Sequence, residues 1–373
     1  MHQVERAIFD LRRGLPVLIA DGDDWVLVQA VEGDAEAAAA RLGELSGGAP
    51  ALVLSRHRLA ALGVEATGEA ARLPLPDDVA ASRLAALAYA ASPAAPLGRT
   101  GLAACRAALE AAAPTDLAAL ALMRRALLIP AALVARVAAT RREAIAAVRA
   151  DGSLLAVEAA QAARCLEGTP GMLRRVSEAR IPLADADDCR FILFREPDGL
   201  REHVAVVIGD PASAAAVPLR LHSACLTGDL FGSLRCDCGE QLRNAVAEIE
   251  ALGGGVLLYL AQEGRGIGLA NKLRAYTLQD AGLDTLDADQ VLGFGEDERR
   301  YGVAVDMLDA LGIRRVQLMT NNPLKMAALA RGGIEVVERQ ALYGSLNDHN
   351  HRYLSAKAER AGHLLDEVFR VRR

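Results

Sequence analysis

The chain has 373 residues, of which 52% are hydrophobic and 24% charged, with a formal net charge of −6 at pH 7. That length gives room for two domains and a sizeable core, and the acidic balance offers no ground for polyanion binding over the whole surface, although a local basic pocket stays open. No charged-then-apolar leader opens the sequence, and Leu117–Met123 and Ala126–Ala135 are too short or broken to cross a bilayer, so the expectation is a cytoplasmic protein with no membrane partner.

In chain order, residues 1–170 are alanine-rich with helical periodicity, as in Ala80–Ala91, Leu102–Ala113 and Leu117–Arg125. Strand-like runs interrupt them at Pro16–Ala20, before the acidic turn Asp21–Asp24, and at Ala51–Ser55, after Gly47-Gly48. The alternation predicts an α/β unit. Thr169-Pro-Gly-Met172 and the polar stretch Arg174–Arg180 read as a linker. From about Ile181 the pattern changes. Strands are expected at Cys189–Phe194, His203–Ile208, Pro218–His222, Gly255–Leu260 and Arg315–Thr320. Helices are expected at Gln241–Leu252, Leu269–Ala281, Arg300–Leu311, Pro323–Arg331 and Tyr353–Leu365. The fold class is therefore α/β, mixed α+β, in two domains.

Six cysteines in so long a chain fit reduced thiols and a metal better than a disulfide framework. Three of them, Cys225, Cys236 and Cys238, form a C-x10-C-x-C set that offers three thiolates to one ion. Structural zinc sites usually close with four protein ligands, whereas hydrolytic ones keep three and hold a water. His222, three residues before the first cysteine, could close the site. Only three of the 42 basic residues are lysines, Lys272, Lys325 and Lys357, and each is a candidate for a role that a flat guanidinium would not fill.

Gln262-Glu-Gly-Arg-Gly-Ile-Gly268 follows a strand and opens a helix, where glycines let backbone N–H groups approach an anion. It is neither a Walker motif nor a G-x-G-x-x-G fingerprint. Its Glu263–Arg265 pair suits a purine N–H pair and a phosphate. Asp297-Glu-Arg299 reads either as helix capping or as chemistry, and Thr320-Asn-Asn-Pro-x-Lys325 either as a capped helix with a solvated lysine or as a polar ligand site.

Taken together these segments resemble the GTP cyclohydrolase II family in order and spacing. They include Arg220-Leu-His-Ser-Ala-Cys-Leu-Thr-Gly-Asp229, Leu234-Arg-Cys-Asp-Cys-Gly-x-Gln-Leu242, Asn271-Lys-Leu-Arg-Ala-Tyr276, Leu278-Gln-Asp280, Asp284-Thr285, Leu292-Gly-Phe294, Asp297-Glu-Arg299-x-Tyr301 and the Thr320–Lys325 segment. Asn350-x-x-Tyr-Leu354, Lys357 and Gly362-His-Leu-Leu365 fit the same pattern, which places the domain at 181–366.

The resemblance implies hydrolysis of GTP to formate, pyrophosphate and a 2,5-diamino-6-ribosylamino-pyrimidinone 5′-phosphate, the first step of riboflavin synthesis. It implies that Cys225, Cys236 and Cys238 hold Zn²⁺, whose hydroxide attacks C8. Asp297, Arg299 and Tyr276 become catalytic residues. Arg220, Leu221, His222, Ser223, Ala224, Gln241, Glu263, Gly264, Arg265, Thr285, Thr320 and Lys325 become substrate contacts. Three thiolates and Zn²⁺ sum to a net −1, a weaker acid than a three-histidine zinc, which calls for a neighbouring proton acceptor. Arg299 keeps its proton and suits phosphate stabilisation better than nucleophilic attack. Mg²⁺ with the triphosphate and a homodimer are also implied. Ala224 departs from the family pattern, which has Glu or Gln before the first cysteine.

The first half resembles 3,4-dihydroxy-2-butanone 4-phosphate synthase, at Val4-Glu-Arg-Ala-Ile-x5-Gly14, Pro16–Asp21 and Leu54–Gly63. The synthase's acidic metal signature is replaced by Asp21-Gly-Asp-Asp-Trp-Val-Leu-Val28, so residues 1–170 are expected to be a degenerate, non-catalytic domain. The alternatives are a paralogue acting on another nucleotide or pyrimidine, a bifunctional riboflavin enzyme, and a zinc knuckle that binds nucleic acid. A lack of stacking aromatics and of a basic face counts against the last of these.

Overall fold

The computed structural model describes residues 2–66, 68–76, 79–90, 103–167 and 171–351, with 355, 358, 360, 362 and 364 beyond them. Two compact units emerge, Met1–Gly168 with Ala270–Asp297, and Thr169–Leu269 with Glu298–Arg373. Each holds a seven-stranded sheet flanked by helices, a mixed α/β architecture. Tyr353, Leu354, Lys357, His363 and Leu365, on which the sequence places the last helix, lie outside the described residues, as do Leu102 and the Thr169-Pro170 start of the linker. Among the described residues no helix is long and apolar enough to cross a membrane.

The first unit contains β1 (Val17–Asp21), β2 (Asp24–Ala30), β3 (Pro50–Ser55), β4 (Ala70–Pro74), β5 (Glu110–Ala111), β6 (Ala131–Arg136) and β7 (Ala156–Glu158), in the order β5-β4-β3-β6-β2-β1-β7. Asp21–Asp24 is the β1–β2 hairpin turn, and two of its acids have structural partners. Asp24 accepts the Thr115 hydroxyl at 3.0 Å and pairs with Arg136, while Asp23 pairs with Arg142 at 3.2 Å. The helix expected over Leu102–Ala113 is shorter than its periodicity suggests. Residues 103–107 are helical, but Glu110–Ala111 joins the sheet beside β4, and Ala113 is extended because Pro114 follows it.

The second unit contains β8 (Arg174–Arg180), β9 (Cys189–Arg195), β10 (Glu202–Gly209), β11 (Val217–Ser223), β12 (Gly254–Leu260), β13 (Arg315–Met319) and β14 (Glu335–Gln340), in the order β14-β13-β11-β12-β10-β9-β8. Arg174–Arg180 is thus an edge strand and not a linker. It is exposed throughout, so burial contributes nothing to its order; the ladder to β9 supplies it, and its charges discourage further pairing along that edge. β8, β9, β10 and β12 run antiparallel to their neighbours, whereas β12, β11, β13 and β14 run parallel.

Side chains alternate across this sheet, and both faces are covered. Leu219, Leu221, Leu258 and Phe194 pack against Met307, Leu308 and Leu329 of the helices Gly302–Ala310 and Pro323–Arg331. Leu257, Val206 and Ile208 pack with Ala245 and Ile249 of the helix Cys238–Ala251. That double burial is why β12 reads as a nearly continuous apolar run, whereas β11 sets Leu219 and Leu221 on one face and the buried polar Arg220 and His222 on the other. The parallel set brings the C-terminal ends of β11, β12 and β13 to one edge, where ligands settle in open α/β sheets.

Phe194 is fully buried in this core. Phe194→Ala should lower the unfolding free energy by about 3–5 kcal/mol, read from the urea midpoint of tryptophan-independent far-UV signal.

Candidate functional site

β11 ends at Ser223, and Cys225 follows two residues later. The chain then makes one helical turn, Leu226–Asp229, and returns through Cys236 to Cys238, the first residue of the helix Cys238–Ala251. The three sulfurs lie within 4.8 Å of one another, and Cys225 Sγ is 3.7 Å from Cys236 Sγ. No other group of three or more His, Cys, Asp or Glu ligands converges in this way among the described residues. A Cβ on Gly228 would stand 2.7 Å from Cys236 Sγ and 3.1 Å from Cys225 Sγ, and one on Gly239 would stand 2.2 Å from the Gly228 carbonyl oxygen. The fold back is therefore a glycine-on-glycine contact with no room for a side chain. Three thiols this close share hydrogen bonds, and the bond with Cys225 is the main cause that pushes Cys236 up to about 11. A soft dication would replace those protons, and the donor set suits one.

His222 does not turn toward the sulfurs. Its Nε2 lies 3.1 Å from Asp229 Oδ1, its ring stacks on Tyr259 at 5.6 Å between centroids, and burial lowers its pKa, keeping it neutral. Asp229 also accepts the Cys225 N–H at 2.9 Å and the Tyr259 hydroxyl at 2.9 Å. Burial and Asp229 together raise the Tyr259 pKa, so the phenol remains a donor. Asp229 therefore fixes the first cysteine from behind, as outer carboxylates do at metal sites. Sequence reasoning assigned no role to Asp229, Gly228 or Tyr259. A lone aromatic in the aliphatic strand β12 was the available signal for Tyr259.

Arg220 is buried. It donates to the Met319 carbonyl at 2.9 Å and to Gln241 Oε1 at 2.7 Å, and Gln241 Nε2 donates to Asp237 Oδ2 at 2.5 Å. Burial depresses the Arg220 pKa. Arg220 and Gln241 thus hold the Cys236–Cys238 segment against the sheet. The Ala224 N–H is taken up by the Leu260 carbonyl at 2.8 Å, which removes it as a backbone contact for a ligand.

After β12, Glu263 accepts the Leu226 N–H at 2.6 Å and the Gly264 N–H at 2.9 Å, tying the glycine turn to the cysteine loop. Gly264 and Arg265 both sit in the left-handed region, at φ 61° and 60°. For Arg265 this costs on the order of 1 kcal/mol and is a mark of functional turns. The Arg265 carbonyl accepts the Glu298 N–H at 3.1 Å, and Gln262 exchanges two hydrogen bonds with the Arg300 backbone. Residues 298–300 are consequently tied to the turn by backbone hydrogen bonds and lie outside any helix. The helix begins only at Gly302 and has no side-chain cap, so helix capping does not explain Asp297-Glu-Arg299.

Arg299 and Lys325 both lie against the ring of Tyr301, at 5.7 Å and 5.9 Å from its centroid. Asn322 caps the helix Pro323–Arg331, and Thr320 Oγ1 accepts the Asn322 N–H. Lys325 is not solvated. It is buried and donates to the Leu221 carbonyl at 2.7 Å. Arg220 Nε, His222 Nδ1, Ser223 Oγ and Asn322 Nδ2 are buried polar atoms with no hydrogen-bond partner, and all four stand along β11 or just after β13. Three residues expected at the site, Tyr276, Thr285 and Asp297, belong to the first unit: Tyr276 in the helix Leu269–Asp280, Thr285 at the start of the helix Thr285–Val291.

The sequence model of the family described as GTP cyclohydrolase II matches residues 174–341. A protein of Azospirillum brasilense named GTP cyclohydrolase-2 is 48% identical over 371 residues, covering 98% of this chain and 94% of its own. One of the same name from Azotobacter vinelandii is 58% identical over 168 residues, covering 45% of this chain and 81% of its own. Among solved structures, RibBX of A. baumannii, a two-domain 3,4-dihydroxy-2-butanone 4-phosphate synthase, covers 91% of this chain and 99% of its own at 17% identity and a TM-score of 0.33, too low to bear on the fold.

Two outcomes follow from the cysteine geometry. Gly228→Ala should weaken zinc retention at least about tenfold in a chelator competition while the protein stays folded, because the added methyl displaces a sulfur. Zinc must displace thiol protons, so apparent affinity should fall steadily as pH is lowered from 8 to 6, measured with the same competition.

Proposed function

The chain belongs to the GTP cyclohydrolase II family, and from that premise we propose that it opens the imidazole ring of GTP in riboflavin biosynthesis. Formate leaves from C8, pyrophosphate leaves from the triphosphate, and 2,5-diamino-6-ribosylamino-4(3H)-pyrimidinone 5′-phosphate remains. One observation carries the reading. Three cysteine sulfurs converge at the C-terminal ends of parallel strands, in the same unit as a cationic pair on the Tyr301 ring.

Cys225, Cys236 and Cys238 would hold Zn²⁺, which three soft donors at this spacing suit. Zinc bound there would supply Lewis acidity and an activated water for the ring hydrolysis. Asp297 accepts the proton, and Tyr276 donates to the oxygen on which charge develops. Arg299 grips the α-phosphate, since its guanidinium keeps its proton and serves as a cation, not a nucleophile. Lys325 adds a second positive charge close to Arg299.

The orphaned polar atoms of Arg220, His222, Ser223 and Asn322 support a polar ligand at this edge. With its Nε2 on Asp229, His222 offers Nδ1 as an acceptor to a substrate N–H. Leu221, Ala224, Gln241, Glu263, Gly264, Arg265, Thr285 and Thr320 complete the substrate shell. Mg²⁺ would accompany the triphosphate. A cytoplasmic homodimer without a nucleic-acid or membrane partner, and a synthase-like domain over 1–170 that performs no synthase chemistry, belong to the same reading.

Incubation of the protein with GTP, Mg²⁺ and Zn²⁺ should yield formate and pyrophosphate in equal amounts, and pyrophosphate without formate would contradict ring opening. Arg299→Gln separates the two roles of that residue, because the amide keeps a hydrogen-bond donor and has no nucleophilic nitrogen. A phosphate clamp should lose about 100-fold in kcat/KM and keep measurable turnover, whereas an obligatory nucleophile would lose all turnover.

A further inference from the structure

Among the described residues Arg58 is the largest fully enclosed side chain, at 1% exposure, and it lies 233 residues in sequence from Val291, which it holds. Its Nε donates to the Leu87 carbonyl at 2.7 Å, and its NH2 donates to the carbonyls of Ala86 at 2.5 Å and Ala90 at 3.1 Å. These stand at the C-terminal end of the helix Ala81–Ala88. Its NH1 donates to the Val291 carbonyl at 2.7 Å, the last residue of the helix Thr285–Val291. One guanidinium thus satisfies orphan carbonyls at two helix C-termini, where a cation also complements both dipoles. Burial lowers its pKa to about 10, so it stays charged at neutral pH.

Further contacts in the same unit hold the segment. Ser55 Oγ donates to the Gly293 carbonyl at 2.6 Å, and Gly293 sits at φ 88° where a Cβ would stand 3.0 Å from Pro130 Cγ and 3.1 Å from Ser55 Oγ. That gives the Leu292-Gly-Phe294 motif a physical reason. At the other end, Asn271 Nδ2 donates to the carbonyl of Leu127, itself held at φ 60°. Arg274 pairs with Glu32 at 3.0 Å. Residues 270–297 are therefore pinned at both ends, and they carry Tyr276, Thr285 and Asp297.

We infer that Arg58 is a positioning residue for the reaction, and that residues 1–168 serve catalysis by fixing the segment that bears Tyr276, Thr285 and Asp297. The inference rests on the catalytic reading of Asp297. It assigns the alanine-rich first half a role that needs no chemistry of its own.

A double-mutant cycle on the full chain tests it, with Arg58→Met, Asp297→Asn and the pair, reading formate release, bound zinc and amide exchange over 285–294. Arg58→Met should lower kcat by about tenfold or more with zinc content nearly unchanged, and should speed exchange over 285–294. In the Asp297→Asn background the same change should cost almost nothing further, because Arg58 acts through that segment. Arg58→Lys should recover part of the loss. Unchanged kcat and unchanged exchange in Arg58→Met, or a full additional loss in the pair, overturns the inference. If Asp297→Asn itself leaves formate release intact, the catalytic reading falls, and the exchange data decide the anchoring alone. Should Arg58→Met fail to fold, Ser55→Ala, which removes the hydrogen bond to the Gly293 carbonyl, carries the same expectations at milder cost.

Discussion

Three cysteine sulfurs can share one cation only if the chain between them folds back on itself within a few ångströms. Gly228 makes that possible: its missing side chain leaves the space in which the sulfurs of Cys225 and Cys236 meet, and Gly239 packs directly on its carbonyl. Everything near the centre is arranged around this contact. Asp229, the next residue, turns back to take the Cys225 N–H and to occupy His222, so the histidine that could have closed the site is committed elsewhere. Arg220, Gln241 and Asp237 brace the other two cysteines from the opposite side. The site is left with three protein donors because the fourth candidate already has a partner, and such a set keeps a coordination position for chemistry.

The sheet explains why so many remote segments take part. Parallel β11, β12 and β13 deliver the cysteine loop, the Glu263–Arg265 turn and the Thr320–Lys325 helix start to one edge. Strain at Arg265 and the enclosure of Lys325 are both costly unless the surroundings compensate, and in each case they do so through backbone hydrogen bonds. The first unit contributes differently. Its sheet carries no convergent carboxylates among the described residues, but its Arg58 and Ser55 hold the stretch 285–293 at the level of backbone carbonyls.

Much of the second unit was legible because β12 is apolar on both faces and β11 on one, and because C-x10-C-x-C has few other physical meanings. What sequence could not supply was mostly non-local. Arg174–Arg180 has no apolar pattern and becomes a strand only through its ladder to β9. In the sequence Lys325 stands open between a solvated residue after a cap and a ligand group, and only the placement of Leu221 encloses it. The attachment of 270–297 to the first unit depends on one buried arginine in a stretch where arginine is common, so composition hid it. Ala224 has its N–H bonded to the Leu260 carbonyl at the end of β12, an attachment that does not depend on its side chain.

Zinc-edge X-ray absorption on the metal-loaded protein distinguishes a three-thiolate centre with an open position from a closed one. An open centre should show three sulfur neighbours at about 2.3 Å and one lighter oxygen neighbour that changes when GTP is added. A fourth protein ligand, an imidazole signature from His222 or a full set of four sulfurs, would contradict it.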